Sequence, residues 1–173
     1  ADGDRLEIGG RPWRVITAEG HAPEHVCLYS AELNLLISGD QVLPRITPNI
    51  NIRYNEPDAD TLSDFLESFA KFADIPGDVL VLPSHGRPFV GLHHRLEDFR
   101  VHHDQRLAEA LAACAEPSTG IEAMRILFPN KLNEMDTYFA LGETLAHLHY
   151  LLRKGRLQRR LDAGGVYLFE RAG

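Results

Sequence analysis

At 173 residues, with 44% hydrophobic and 25% charged residues, the chain is globular in composition and long enough to bury a core, which argues against a disordered protein. No apolar run approaches the roughly 18–20 residues of a membrane span, and no signal-peptide pattern is visible. Residues 1–102 hold 9 Lys/Arg against 16 Asp/Glu, whereas residues 103–173 hold 9 against 9, so the net charge of -7 lies wholly in the first part; an acidic chain is a poor general binder of nucleic acid.

In chain order, alternation in RPWRVIT (Arg11–Thr17) predicts a strand. Val26–Ser30 and Leu33–Ser38 flank Ala31-Glu32 and predict a β-hairpin. Gln41 to Asn55 has no period and reads as a long loop, a feature that tends to be functional. Leu62, Phe65, Leu66, Phe69 and Phe72 share one helical face, so a helix is expected over Pro57–Asp74. The short apolar run Val79–Pro83 predicts a buried strand opening onto Ser84-His85-Gly86. Leu80 and Leu82 are assigned to the core.

A second helix is expected from Gly91 to Ala115, stopped by Pro117. Thr119 with Glu122 forms a capping-box signature for a short helix to Phe128. Asp136 is expected to cap a third helix running to Lys154, with Gly155 just past its end. RLQRRL and VYLFE flank Asp162–Gly165, a hairpin signal. Three helices and a hairpin outline a winged helix, so the chain divides into residues 1–102, an α/β part, and residues 103–173, a winged-helix-like part. Cys27 and Cys114, both in apolar surroundings, point to a reducing, cytoplasmic setting. The opening text, ADGDRLEIGG, starts without methionine and reads as an excised or processed fragment.

His21, Asp40 and His85 each flank an apolar strand at a loop, positions that cluster along one edge of a sheet. Two imidazoles and a carboxylate are donors that zinc favours, and a carboxylate can bridge paired metals. GHAPEH, a hairpin, SGD, then a strand and SHG resemble the second half of the metallo-β-lactamase fold. That family places a GHT-x-GH turn, a GD at a strand end and a later HG in the same order. ALGETLAHLHYLLRKGRL followed by a Gly-Gly hairpin looks like the winged-helix C-terminal extension of a hydrolase subgroup with this fold. The resemblance thus implies the C-terminal half of an αββα sandwich followed by a winged-helix domain.

By that resemblance His21 ligates one zinc, Asp40 bridges two and orients the catalytic nucleophile, and His85 ligates the other, with manganese or iron as alternatives. His25 steadies the turn by hydrogen bonding. Ala22 and Glu24 replace the more usual threonine and glycine. The family's HxHxDH motif, which supplies the remaining ligands, has no counterpart; the single His-x-His, His147-Leu148-His149, is in a helical context. Residues two apart on a helix point about 200° apart, so this pair cannot chelate one ion. The paired His93-His94 and His102-His103 diverge by about 100° and read as half surface, half packing.

Asn49, Asn51 and Arg53, after Asp40, are candidates for a substrate loop. Arg153, Arg156, Arg159 and Arg160, in the basic run RKGRLQRR, are candidates for contact with nucleic acid, set against the simpler reading of a cation-rich helix end. The function expected of the intact protein is metal-dependent hydrolysis of a small ester or thioester by a metal-activated water, with this chain alone incomplete and inactive. Phosphodiester hydrolysis of RNA and a non-catalytic interaction module are the alternatives. No membrane partner is expected, and a homodimer is, because a sheet edge left open is usually paired.

Overall fold

The computed structural model describes residues 1–173. The chain forms two compact units, one of residues 1–48 and 64–100 and the other of residues 49–63 and 101–173. The segment 49–63 thus groups with the C-terminal part of the chain. Within the second unit, the Ile52 N–H donates to the Gly142 carbonyl at 3.2 Å.

The first unit is built on a five-stranded sheet of β1 (Arg5–Ile8), β2 (Arg11–Ala18), β3 (His25–Ser30), β4 (Leu35–Gly39) and β5 (Leu80–Pro83), hydrogen-bonded in that order. The pairings are antiparallel except β4–β5, which is parallel. β1 carries no alternation because all four of its residues are exposed. It is joined to β2 by Gly9 and Gly10, both with positive φ (62° and 72°), as a tight hairpin turn requires. The β3–β4 connection is the four residues Ala31–Asn34 rather than a two-residue turn. Asn34 closes it in the left-handed region (φ 48°), donating its N–H to Ala31 O at 3.3 Å.

Helix α1 (Thr61–Ser68) continues as a 3-10 turn, Phe69–Phe72. It starts later than the apolar spacing predicts, since Asp60 Oδ1 accepts the Ser63 N–H at 3.3 Å and caps the first turn. Ile16, Cys27, Leu36 and Val81 share the buried face of the sheet by register. With them Phe65, Phe69 and Phe99, whose ring centroids lie 4.9–6.1 Å apart, make the core of this unit.

The opposite face of the sheet carries Leu6, Val26, Ile37 and Leu80, which are 38–53% exposed. Leu80 is therefore not core, contrary to its apolar context. Helix α2 (Leu92–Ala113) contributes its first turns, to Arg100, to this unit.

The second unit holds the remainder of α2, β6 (Ser118–Thr119), α3 (Gly120–Leu127), α4 (Glu134–Arg153), β7 (Leu157–Leu161) and β8 (Tyr167–Arg171), with sheet order β6-β8-β7. The capping box forms: Thr119 Oγ1 accepts the Glu122 N–H and Glu122 accepts the Thr119 N–H. α4 is capped by Asn133, whose side chain accepts the Asp136 N–H at 2.8 Å, so Asp136 sits in the first turn instead. The helix ends in a Schellman arrangement: Gly155 (φ 67°) donates to Leu152 O and Arg156 to Leu151 O.

α4 buries His147 and His149. His147 Nδ1 donates to Glu143 O at 2.8 Å, so its Nε2 is left to accept, and His103 Nδ1 donates to it at 3.2 Å. Burial, reinforced for His103 by the neighbouring histidines, pushes His103 down to about 3 and His147 down to about 4. Both imidazoles are neutral packing groups at physiological pH. His149 Nδ1 donates to Ala59 O at 3.3 Å. No helix is long and apolar enough to cross a membrane.

Candidate metal site

Asp40 owes its position to an irregularity in the sheet. Ile37 pairs with Leu82 and Gly39 with Pro83, so two steps of β4 oppose one of β5, and this bulge turns the chain at the strand end. Gly39 adopts φ +55°, and Ser84 N–H donates to its carbonyl at 3.0 Å, tying the β4 end to the β5 end. The turn is anchored from below. Ser38 Oγ donates to Val42 O at 2.8 Å, and the wholly buried Gln41 donates through Nε2 to Glu19 O and Ser68 Oγ.

His25 ends this network. Its Nε2 accepts the Asp40 N–H at 3.2 Å, which places the proton on Nδ1, 3.8 Å from Cys27 Sγ. Burial, with the His21 charge adding to it, lowers the His25 pKa and favours that neutral form. Cys27 is a buried thiol pushed up to about 12 and directed at Ser38 O, so it is chemically inert.

The three residues far apart in sequence come together. His21 Nε2 is 3.7 Å from Asp40 Oδ2, and His85 Nε2 is 3.4 Å from Asp40 Oδ1. Two donors each about 2.05 Å from a common ion at the tetrahedral angle stand about 3.3 Å apart. Each carboxylate oxygen thus faces a different imidazole at nearly the separation of co-ligands. Asp40 Oδ1 is buried and accepts no hydrogen bond from the protein, which leaves a lone pair for an electrophile.

The trio fits a metal pair only in part, because each ion would have one imidazole and a shared carboxylate against the four donors zinc prefers. No group of three or more His, Cys, Asp or Glu side chains in the chain is arranged to hold an ion by itself.

Beside the trio lies a cleft of about 660 Å³ lined by Pro44, Arg45, Ile46, His85, Gly86, Arg87, Pro88 and Phe89. Its apolar walls and polar rim suit a small molecule.

Residues 2–85 match the family model described as the metallo-beta-lactamase superfamily, and residues 107–172 match the one described as metallo-beta-lactamase-like, C-terminal domain. The chain belongs to the metallo-β-lactamase superfamily. Among solved structures of metallo-β-lactamase fold, a beta-lactamase domain protein from Burkholderia ambifaria has a TM-score of 0.95 at 44% identity, covering 99% of this chain and 51% of that one. A metallo-beta-lactamase family protein from Thermus thermophilus has a TM-score of 0.86 at 33% identity, covering 99% and 53%. The lactamase-like protein adaB of Aspergillus niger is 26% identical over 141 residues, 78% of this chain and 41% of that protein. The chain therefore spans about half of these metallo-β-lactamase structures and less of the fungal protein. Metallo-β-lactamase superfamily proteins are generally hydrolases and typically bind zinc.

Asn49, Asn51 and Arg53 belong to the second unit, where Asn51 packs so closely on α4 that a Cβ at Gly142 would come within 2.9 Å of its amide. Within the same unit Arg153 donates to Asp58 O at 2.9 Å, Arg159 pairs with Asp58 Oδ1 at 3.2 Å, and Arg160 pairs with Glu170 at 3.5 Å. His93 Nε2 donates to Ile75 O at 2.7 Å, and the exposed His94 faces Asp98 at 3.8 Å, so neither joins a metal site. Ser38 opens the SGD string and Gln41 follows it, but the string gives neither a role in holding the turn; their signal is a polar residue flanking Gly-Asp, visible only once its burial is known.

Proposed function

We propose that this chain carries half of the active site of a metal-dependent hydrolase acting on small esters or thioesters. The observation that supports this most is the division of the Asp40 carboxylate between His21 and His85 at 3.7 and 3.4 Å. His21 and Asp40 Oδ2 would hold one zinc ion, and His85 and Asp40 Oδ1 a second. When bound, such ions activate water near neutral pH and polarise a carbonyl.

The chain's own residues position that chemistry. The bulge at Gly39 aims Asp40, and His25 fixes its backbone N–H. Gln41 and Ser38 lock the turn from the core side. The cleft beside His85 receives the acyl part. The further donors would have to come from outside these residues, so the isolated chain is expected to be catalytically silent.

The second unit we read as a winged-helix-like extension, from its order of helix, short strand, two helices and hairpin. A small substrate is favoured over RNA because Arg153 and Arg159 are directed to Asp58 and Arg160 to Glu170.

The test is calorimetric zinc titration of the chain and of Asp40→Asn, with turnover of generic ester, thioester and phosphodiester substrates in zinc or manganese. Weak zinc uptake lost in Asp40→Asn, with no turnover by the isolated chain, is expected. Unchanged uptake in the variant would overturn the site, and robust turnover abolished by Asp40→Ala would overturn its incompleteness.

A further inference from the structure

The cleft next to His85 has two features that hydrolysis does not require. Arg45 and Arg87 line it, one from each of the loops that follow β4 and β5, and both are exposed. Neither guanidinium has an ion pair or hydrogen bond within the chain, whereas Arg14, Arg95 and Arg106 in the same protein are held by carboxylates, carbonyls or both.

The loops bearing them are fixed in place. Arg95, from α2, donates through Nε to Leu43 O at 2.7 Å and through Nη2 to Ile46 O at 2.9 Å, with its guanidinium 4.2 Å from the Phe99 ring centroid. The segment 43–46 is thereby clamped on both sides of Arg45. The other loop returns to β5, with Val81 and Phe89 exchanging both backbone hydrogen bonds at 2.8 and 3.1 Å. The two loops also close on each other. Gly86 has φ +88°, and a Cβ there would stand 2.7 Å from Pro44 Cγ.

Two unpaired arginines on braced loops, over walls of Pro44, Ile46, Pro88 and Phe89, form a receptor for a molecule with an apolar body and an anionic end. A planar guanidinium binds carboxylate and phosphate through paired N–H bonds, and bracing lowers the ordering cost of binding.

We propose that Arg45 and Arg87 select substrates bearing a carboxylate or phosphate, making the substrate of the proposed hydrolase an anionic ester or thioester whose apolar part lies in the cleft with the scissile group toward His85. The substrate class rests on the hydrolase reading, while the anion selectivity of the cleft is measurable without it.

The experiment follows backbone amide NMR shifts of the 173-residue chain in EDTA, titrated with octanoate, octyl phosphate and the neutral octanamide. Both anions should shift residues 43–46 and 85–89, with octanamide about tenfold weaker. Arg45→Gln and Arg87→Gln should each weaken anion binding about tenfold, and the double variant should bring the anions to the octanamide level. Arg87→Lys should restore part of the loss. Tighter binding of one anion identifies the headgroup.

Equal binding of octanamide and the anions, or wild-type affinity in the two Gln variants, would overturn the proposal. The assay contains no metal and reads no turnover. A negative result here leaves the hydrolase reading intact, and absence of hydrolysis elsewhere leaves the measured selectivity intact.

Discussion

A Cβ on Gly39 would lie 2.6 Å from His25 Cε1 and 2.9 Å from His25 Nε2, so the glycine is what lets the imidazole seat beneath the Asp40 backbone. Gly39 also holds φ +55°, a conformation that L side chains rarely adopt. Conformational need and steric need coincide at one residue, at the point where the sheet delivers Asp40.

Gly39→Ala is therefore expected to destabilise the chain by roughly 1–3 kcal/mol, the range for strain at a special backbone position. Combining it with His25→Ala should recover part of the loss, because the clash is removed and the strain is not. Urea unfolding of both single variants and the double variant measures this. Strict additivity would show that the two residues do not press on each other.

Stability should fall on mild acidification because of His103 and His147. Both have folded pKa values, about 3 and about 4, below the ordinary value of 6.5. Below about pH 6.5 the unfolded chain takes up protons that the folded chain refuses, so stability is fully present above that pH and is lost as pH falls toward 4. The slope is at most about 1.4 kcal/mol per pH unit for each histidine. Urea midpoints between pH 7.5 and 4.5 should decline over this window, and His147→Gln should flatten the decline. An unchanged slope in the variant would assign the acid sensitivity to other groups.

The open sheet face predicts self-association. Val26, Ile37 and Leu80 are 53%, 38% and 39% exposed, and with Leu6 they make an apolar stripe across the strands. Exposed apolar patches of this kind mark interaction surfaces. The isolated chain should sediment as a dimer or larger species at micromolar concentration, and Val26→Lys with Ile37→Lys should make it monomeric. A monomeric wild type would remove the expectation.

The basic run should not bind RNA at physiological salt. Asp58 lies against Arg153 and Arg159, Glu170 lies against Arg160, and the net charge is -7. Fluorescence anisotropy with a single-stranded RNA should show no submicromolar binding, and a steep salt dependence with tight binding would reverse the preference for a small substrate.

The sequence by itself determined what depends on neighbours a few residues apart. Thr119 and Glu122 three apart form their capping box, Gly155 ends α4 in the left-handed region, and His21, Asp40 and His85 lie beside the strands expected of them. Only the tertiary structure decided the rest. β1 shows no alternation because it is exposed throughout, and the length of the Ala31–Asn34 loop depends on the pairing of Ser30 with Leu35. His103 meets His147 across 44 positions, and Arg95 reaches back 52 to hold the loop beside Arg45. Such partners are set by sheet register and helix packing, which sum many weak long-range contacts, whereas a cap or a turn is settled by the geometry of one short stretch of backbone.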